Sequence, residues 1–536
     1  MKQQSFARGF AVLSAAGILI KILSLLYIPF LIAIIGDEGY GIYGAAYQVY
    51  VLVYVLTNSG IPVAISKLIS ELIAVENYKD AVRSFKIARF MLLILGLVMS
   101  VLTIILAKTL SNTINFTKAQ TAIMWLAPSL LITSVASAYR GYFQGRGNMV
   151  PTAVSQIIEQ IINAVFTIVF AAIFMKSSLE MACAGGTLGT LLGALCAALF
   201  LLIYHKRNDR YSILQNTTVS KIKRYRYGEL AKKVVNYSVP ITMCVGMQYA
   251  GNLIDVWNTK SRLFAAGFTD VKASAVYGFL LKYQQLLNAP IALTVALATA
   301  LLPAISAAVA RNDNTQIGER VNFAFRSCFI IALPSAVGFS VLSAPIFRLL
   351  HYGSGAYLME YGSFILILLA VAQIQTSILQ GSGKLYTTTF LMILGIFGKI
   401  ITNYFLIAIP KINIMGAIIG SMVGFLIPIT FNTIIMKKTL KVGFELGILI
   451  KPLISSLIMG VVVFILYNGL SLVLFFVISS YIANALILLF SIFAGGFSYF
   501  IILALIKGLS KSDLDMMPDK IRRLIPQKLQ SLVKEV

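Results

Sequence analysis

Seven ionisable side chains stand inside stretches of this chain that are otherwise almost free of charge: Lys21, Glu159, Asp255, Lys260, Arg262, Lys282 and Lys399. A charge at the centre of an apolar helix costs about 2.5–3.5 kcal/mol on insertion scales, so each must be paired, lie at an interface, or face water in a cavity. The five basic residues, Lys21, Lys260, Arg262, Lys282 and Lys399, outnumber Glu159 and Asp255. If they line one cavity, that cavity is cationic and suits an anion. A snorkelling lysine or arginine at the interface is the bland alternative for Lys260, Arg262 and Lys282. Lys21 is harder to place that way, because it lies roughly ten residues from either end of its apolar run. Glu159 and Asp255 have two open readings, a structural ion pair or the carrier of a coupling proton.

Covalent chemistry has no visible home. The chain carries no phosphate-cradling glycine loop with its lysine, no cluster of metal ligands and no nucleophile elbow. The expectation is a transporter without an enzymatic cofactor, driven by an ion gradient or the membrane potential, the latter giving about 2.3 kcal/mol per charge per 100 mV. Cys183, Cys196, Cys244 and Cys328 have no paired spacing and read as small apolar residues. His205 and His351 are isolated and read as solvated rather than as ligands.

The elements that hold these residues are apolar helices. With 536 residues, 59% of them hydrophobic and 12% charged, the chain has too much apolar surface for a soluble core. Backbone groups find no partners in lipid, so runs of this length must be helices, and they are too uniformly apolar for barrel strands. At roughly 20 residues per crossing, about fourteen spans are expected. They are placed near 8–35, 41–70, 86–109, 120–142, 150–175, 181–204, 234–263, 273–308, 317–344, 357–380, 385–409, 414–436, 449–468 and 471–506. Most of the 44 lysines and arginines fall in the termini and the even-numbered loops, which predicts both termini on the cytoplasmic side of a multi-pass plasma membrane protein. The net charge of +25 is then a property of loops facing anionic headgroups, and a nucleic-acid partner is not expected.

Two internal matches indicate a repeat. Tyr43-Gly44 and Tyr277-Gly278 open corresponding spans 234 positions apart, and Gln144-Gly145-Arg146-Gly147 and Gln380-Gly381-Ser382-Gly383 lead into corresponding spans 236 apart. The predicted architecture is an all-α polytopic membrane protein of two parallel-oriented six-helix bundles, at 1–205 and 234–440, with a substrate path between them. A basic cytoplasmic linker at 206–233, two further spans within 441–508 and an amphipathic tail at 509–536 complete it. Pro62, Pro128, Pro240, Pro290, Pro334 and Pro428 fall inside spans, where kinks are common and hinges are an alternative.

The opening ARGFAVLSAAGILIKILSLLYIPFLIAIIG, followed by YGIYGAAYQVYVLVYVLTNSGIPVAISKLISE, resembles the polysaccharide-biosynthesis branch of the multidrug, oligosaccharidyl-lipid and polysaccharide exporter superfamily. Further resemblance lies in RGYFQGRGNMVPTAVSQIIEQ, NLIDVWNTKSRL, LLNAPIALTVALATALLPAIS and LQGSGKLY, so it covers nearly the whole chain. Within the branch, the nearest groups are stage V sporulation protein B and the lipid II flippases of the MurJ type. The resemblance implies an alternating-access flippase that moves an undecaprenyl-pyrophosphate-linked saccharide, lipid II above all, from the inner to the outer leaflet. It also implies that Lys21 occupies the position of a cavity arginine of those flippases, and that the two added helices extend a groove for the polyprenyl tail. The family's basic cluster is only partly kept, since the position two turns further is near the uncharged Tyr27. Other teichoic-acid or capsule intermediates, and drug or cation antiport, are the alternatives within the superfamily. Cell-wall synthesis proteins are the expected protein partners, docking on the tail being the sharper reading of that segment.

Overall fold

The computed structural model describes residues 6–208, 224–311, 313–440, 446–477 and 480–508. The amphipathic tail expected at 509–536 and the greater part of the linker, 209–223, lie outside the described residues. Every regular element among the described residues is helical.

The first six expected spans lie in α1 (Phe6–Asn58), α2 (Gly60–Ala74), α3 (Tyr78–Thr113), α4 (Gln120–Gly145), α5 (Val150–Phe174) and α6 (Leu179–Asn208), with a short 3-10 turn at Thr117–Ala119 before α4. The next six lie in α7 (Tyr227–Ala265), α8 (Asp270–Ala310), α9 (Asn314–Val341), α10 (Ser343–Leu349), α11 (Ala356–Gly362), α12 (Ile365–Gly381), α13 (Leu385–Leu406) and α14 (Met415–Leu440). The final pair are α15 (Leu446–Val477) and α16 (Ser480–Leu505). By length and composition, ten helices among the described residues can cross a membrane, or eleven if α11 and α12, bent by 54°, form one broken span. Beyond that bent pair, the difference from fourteen has two sources. Expected spans one and two share the apolar stretch Ala15–Ala74, and α7 and α8 are not among the ten.

Local sequence explains the breaks. Gly36 divides α1 into two legs by adopting φ 66° and ψ −173°, a conformation that only glycine takes at little cost. Asn77 caps α3, its side chain accepting from the Asp80 backbone N–H, and Asp313 caps α9 in the same way through Gln316. The last border was expected near 468–471, but α15 runs through it to Val477. Asn468 and Gly469 look like a turn in the sequence; in the helix the Asn468 amide donates to the Phe464 carbonyl at 2.9 Å and satisfies itself locally.

The chain divides into two compact units, Met1–Leu281 and Lys282–Val536. The divide falls within α8, later than the linker at which the sequence repeat places it, because α7 packs on α1, α2 and α3. The core of the first unit joins Leu68 of α2, Phe85 of α3, Tyr139 and Tyr142 of α4, Leu201 of α6, and Leu230 and Val234 of α7. His205 sits in this core rather than in solvent, its ring centroid 5.2–5.6 Å from those of Tyr139, Tyr142 and Phe85. The fully buried Asp80 carboxylate accepts from the Tyr225 backbone N–H at 2.9 Å, tying the start of α7 to α3. In the second unit, Val337 of α9 packs with Met459 and Val463 of α15 and with Leu488 and Tyr499 of α16.

One hairpin geometry occurs in both units. On α6, Gly185, Gly189 and Gly193 recur every four residues and face α5, where a Cβ would lie 2.8 Å from the Phe170 carbonyl oxygen, 2.6 Å from that of Asn163 and 2.5 Å from that of Glu159. On α14, Gly416, Gly420 and Gly424 have the same spacing and face Leu406, Asn403 and Lys399 of α13. Small residues at every fourth position let two helices approach backbone to backbone, which in lipid replaces the missing hydrophobic drive. The matched glycines set the register of the repeat: Glu159 and Asn163 in the first unit occupy the places of Gly395 and Lys399 in the second.

Candidate functional site

Lys21 lies in the first leg of α1, exposed, on a surface that also exposes Ile18, Leu19, Ile22 and Leu26. An ammonium in the middle of such a stretch needs water or an anion close by.

The second leg of α1 carries tyrosines at 43, 47, 50 and 54, which share one face at helical spacing. Their rings follow one another at 4.9, 5.9 and 6.0 Å between centroids. The hydroxyl of Tyr47 bonds Thr190 of α6, whose hydroxyl also bonds the Asn163 amide oxygen of α5 at 3.2 Å. Beside these residues Arg140 of α4 reaches Glu159 of α5, donating from Nη2 to Oε2 at 2.6 Å and from Nε to Ser155 Oγ at 3.0 Å. Glu159 is therefore half of an ion pair. Arg140 went unnoticed in the sequence because it falls two residues inside the end of its expected span, where a basic residue reads as interfacial; the isolated carboxylate in the next span is the signal that could have found it.

Lys260 is fully buried near the end of α7, its Nζ 3.0 Å from an Asp270 carboxylate oxygen and in contact with Ser274 Oγ, over the Phe116 ring at 4.0 Å. A second pair, Lys118 Nζ to Glu38 Oε1 at 2.7 Å, joins the 3-10 turn to α1. The helices α1 and α8 touch by backbone at the same end, with Gly41 against the Ser274 carbonyl and Gly278 against that of Asp37. Side chains would hold these backbones apart. Asp255 and Arg262, on the same helix as Lys260, are half-buried, and Arg262 donates to Ser261 Oγ at 3.3 Å.

In the second unit, Lys282 is fully buried and donates to the Tyr352 carbonyl oxygen. Lys399 is half-buried on α13 and packs against Gly424. The candidate residues thus fall into two sets. Lys260 and Lys282 are enclosed, each with its own partners, whereas Lys21, Arg262 and Lys399 keep some exposure. Snorkelling to an interface does not describe Lys260 or Lys282, whose ammonium groups are buried in protein.

The family model described as polysaccharide biosynthesis protein matches residues 6–309, more than half of the chain. The chain belongs to this family. Stage V sporulation protein B of Bacillus subtilis (strain 168) is 27% identical over 453 residues, covering 83% of this chain and 86% of the relative. Lipid II flippase MurJ of the same organism is 24% identical over 483 residues, covering 85% of this chain and 87% of the relative. Among solved structures, lipid II flippase MurJ in an inward closed conformation aligns with a TM-score of 0.67 at 16% identity, covering 92% of this chain and 98% of the other. At that identity the likeness establishes the fold, an all-α polytopic membrane protein.

Proposed function

We propose that this family member is a lipid-linked wall-precursor flippase that carries an undecaprenyl-pyrophosphate-linked peptidoglycan precursor, lipid II, from the inner to the outer leaflet by alternating access. The observation that carries the reading is the exposed Lys21 ammonium at mid-span in a family whose name concerns polysaccharide biosynthesis. A pyrophosphate is held by charge-assisted hydrogen bonds from ammonium or guanidinium groups, and these are strongest where water is scarce. Lys21 supplies that charge in the first unit, where the half-buried Arg262 is a further candidate cation, and the half-buried Lys399 is the candidate in the second. The relatives, one a lipid II flippase and one a sporulation protein, support a role in wall or spore-cortex precursor transport. The protein works as a transporter rather than an enzyme, with an ion gradient or membrane potential as its energy source and both termini in the cytoplasm. Glu159, paired with Arg140, and Asp255 are the acidic groups available for coupling.

The test is reconstitution of the full chain in liposomes with labelled lipid II, reading the fraction that becomes accessible on the far leaflet. Lys21→Arg should keep most of the wild-type rate, and Lys21→Glu should lower it by at least about tenfold, the cost of losing one charge-assisted contact. Equal rates for wild type and Lys21→Glu, at equal folded protein, remove Lys21 from the site. The family description favours one second reading, transport of a different polysaccharide lipid intermediate; accessibility of such a lipid but not of lipid II in the same assay identifies it.

A further inference from the structure

The second unit holds a cavity of about 460 Å³ that none of the transport machinery above uses. Ala344, Phe347 and Arg348 of α10, His351 and Gly353 of the following loop, and Ala356 of α11 line it. Its volume falls in the roughly 300–1,000 Å³ range of small-ligand sites. Arg348 and His351 are exposed. Ala344 and Ala356 give the cavity an apolar wall beside this cationic edge, with the buried Phe347 behind it.

The loop is built to hold that shape. His351 adopts φ 52°, a left-handed conformation that non-glycine residues enter only when neighbours hold them there. Its ring lies 4.7 Å from that of Tyr481 on α16, whose hydroxyl donates to the Leu349 carbonyl at 3.2 Å. The Asn484 amide, also on α16, donates to the Pro345 carbonyl at 3.2 Å, and the buried Lys282 holds the carbonyl of Tyr352. The appended helix α16 and the start of the second unit therefore grip both sides of the turn that carries Arg348 and His351. On the orientation set by the basic loops, this turn joins two spans on the outer side of the membrane.

We infer that this cavity binds the phosphate headgroup of a lipid in the outer leaflet, Arg348 and His351 contacting the phosphate oxygens and the wall of Ala344 and Ala356 lying along the first carbons of the chain. A free inorganic anion would have no use for the apolar wall, and a neutral lipid none for the cationic edge. Two sources share this chemistry, a polyprenyl carrier that has crossed and an ambient phospholipid. The site requires only that the loop face outward, so it stands or falls apart from the transport reading.

The full-length chain in nanodiscs, with the photo-crosslinker p-benzoylphenylalanine at Ala356, is irradiated with undecaprenyl pyrophosphate, phosphatidylglycerol or uncharged undecaprenol, and adducts are read by mass spectrometry. A phosphate-bearing lipid should label about tenfold more than undecaprenol, and Arg348→Gln with His351→Gln should remove that preference. Labelling by undecaprenyl pyrophosphate above phosphatidylglycerol assigns the site to the carrier, and equal labelling assigns it to ambient lipid. Equal labelling by undecaprenol and the charged lipids overturns the proposal, as does a preference unchanged in the double variant. Should the double variant not fold, the comparison of headgroups in the wild-type background decides alone. Translocation is not needed for labelling, so a chain that fails to move lipid II still gives a result here.

Discussion

Lys260 has no exposure, whereas the Asp270 side chain that pairs with it is 44% exposed, so the two halves of this ion pair are unequal. Asp270→Ala strands an ammonium inside the protein and should lower stability by about 3 kcal/mol. Lys260→Met leaves a carboxylate that water can reach and should cost less than about 1 kcal/mol. Thermal unfolding of the two variants in one detergent gives the comparison, and a larger loss in Lys260→Met would contradict the placement. The pair of Arg140 and Glu159 is more symmetric, with side-chain exposures of 11% and 26%. Arg140→Ala and Glu159→Ala should each destabilise by about 1–3 kcal/mol, and the double variant by clearly less than their sum. A double-mutant cycle that is additive would show the 2.6 Å contact to be of no consequence. At this scale the sequence pointed to the charges but not to what they meet. Glu159 stood out as a carboxylate in an apolar run, but its partner comes from a neighbouring helix, and Lys282 is satisfied by a carbonyl 70 positions away, which no local pattern encodes.

The helices were far easier to read than the contacts between them. Apolar runs of span length must be helical in lipid, so the positions of α4, α5 and α6 were legible within a few residues. The α15 border was not, because Asn468-Gly469 has the composition of a turn and only the helix's own carbonyls make it otherwise. The glycine rows of α6 and α14 passed unnoticed, since spacing by four is informative only once the facing helix is known. That facing surface gives a prediction. Gly189→Ala should place a Cβ 2.6 Å from the Asn163 carbonyl oxygen, forcing α5 and α6 apart, with a loss of about 1–3 kcal/mol. Gly496→Ala on α16 meets nothing within 4 Å and should be neutral or stabilising by up to about 1 kcal/mol through helix propensity. Melting temperatures of the two alanine variants, compared with wild type, check this contrast.

For the molecule as a whole, each unit repeats a close-packed hairpin, and the equivalent places hold different chemistry: Glu159 and Asn163 in one, Gly395 and Lys399 in the other. The repeat was visible in the sequence through its loop and span-opening matches. The divergence within it was visible in part, since the offset of 236 already sets Lys399 against position 163, and the glycine register gives the same pairing. On the proposed function, Lys21 and Glu159 serve substrate and coupling from the first unit, and the second adds the cation Lys399 at the place of Asn163. Function should therefore respond to charge at the exposed cations more than at the enclosed ones. Lys399→Met should slow transport of a pyrophosphate-linked lipid by severalfold while leaving the melting temperature within a degree or two, because its half-buried side chain packs on Gly424 without a fully enclosed ammonium.

The most direct test is lipid II exposure on the outer leaflet of cells whose wall synthesis depends on this protein alone, measured before and after its depletion. A several-fold fall on depletion, restored by the wild type and by Lys21→Arg but not by Lys21→Glu at equal protein level, is the predicted result. Exposure that stays unchanged when the protein is gone contradicts the assignment of lipid II as its substrate.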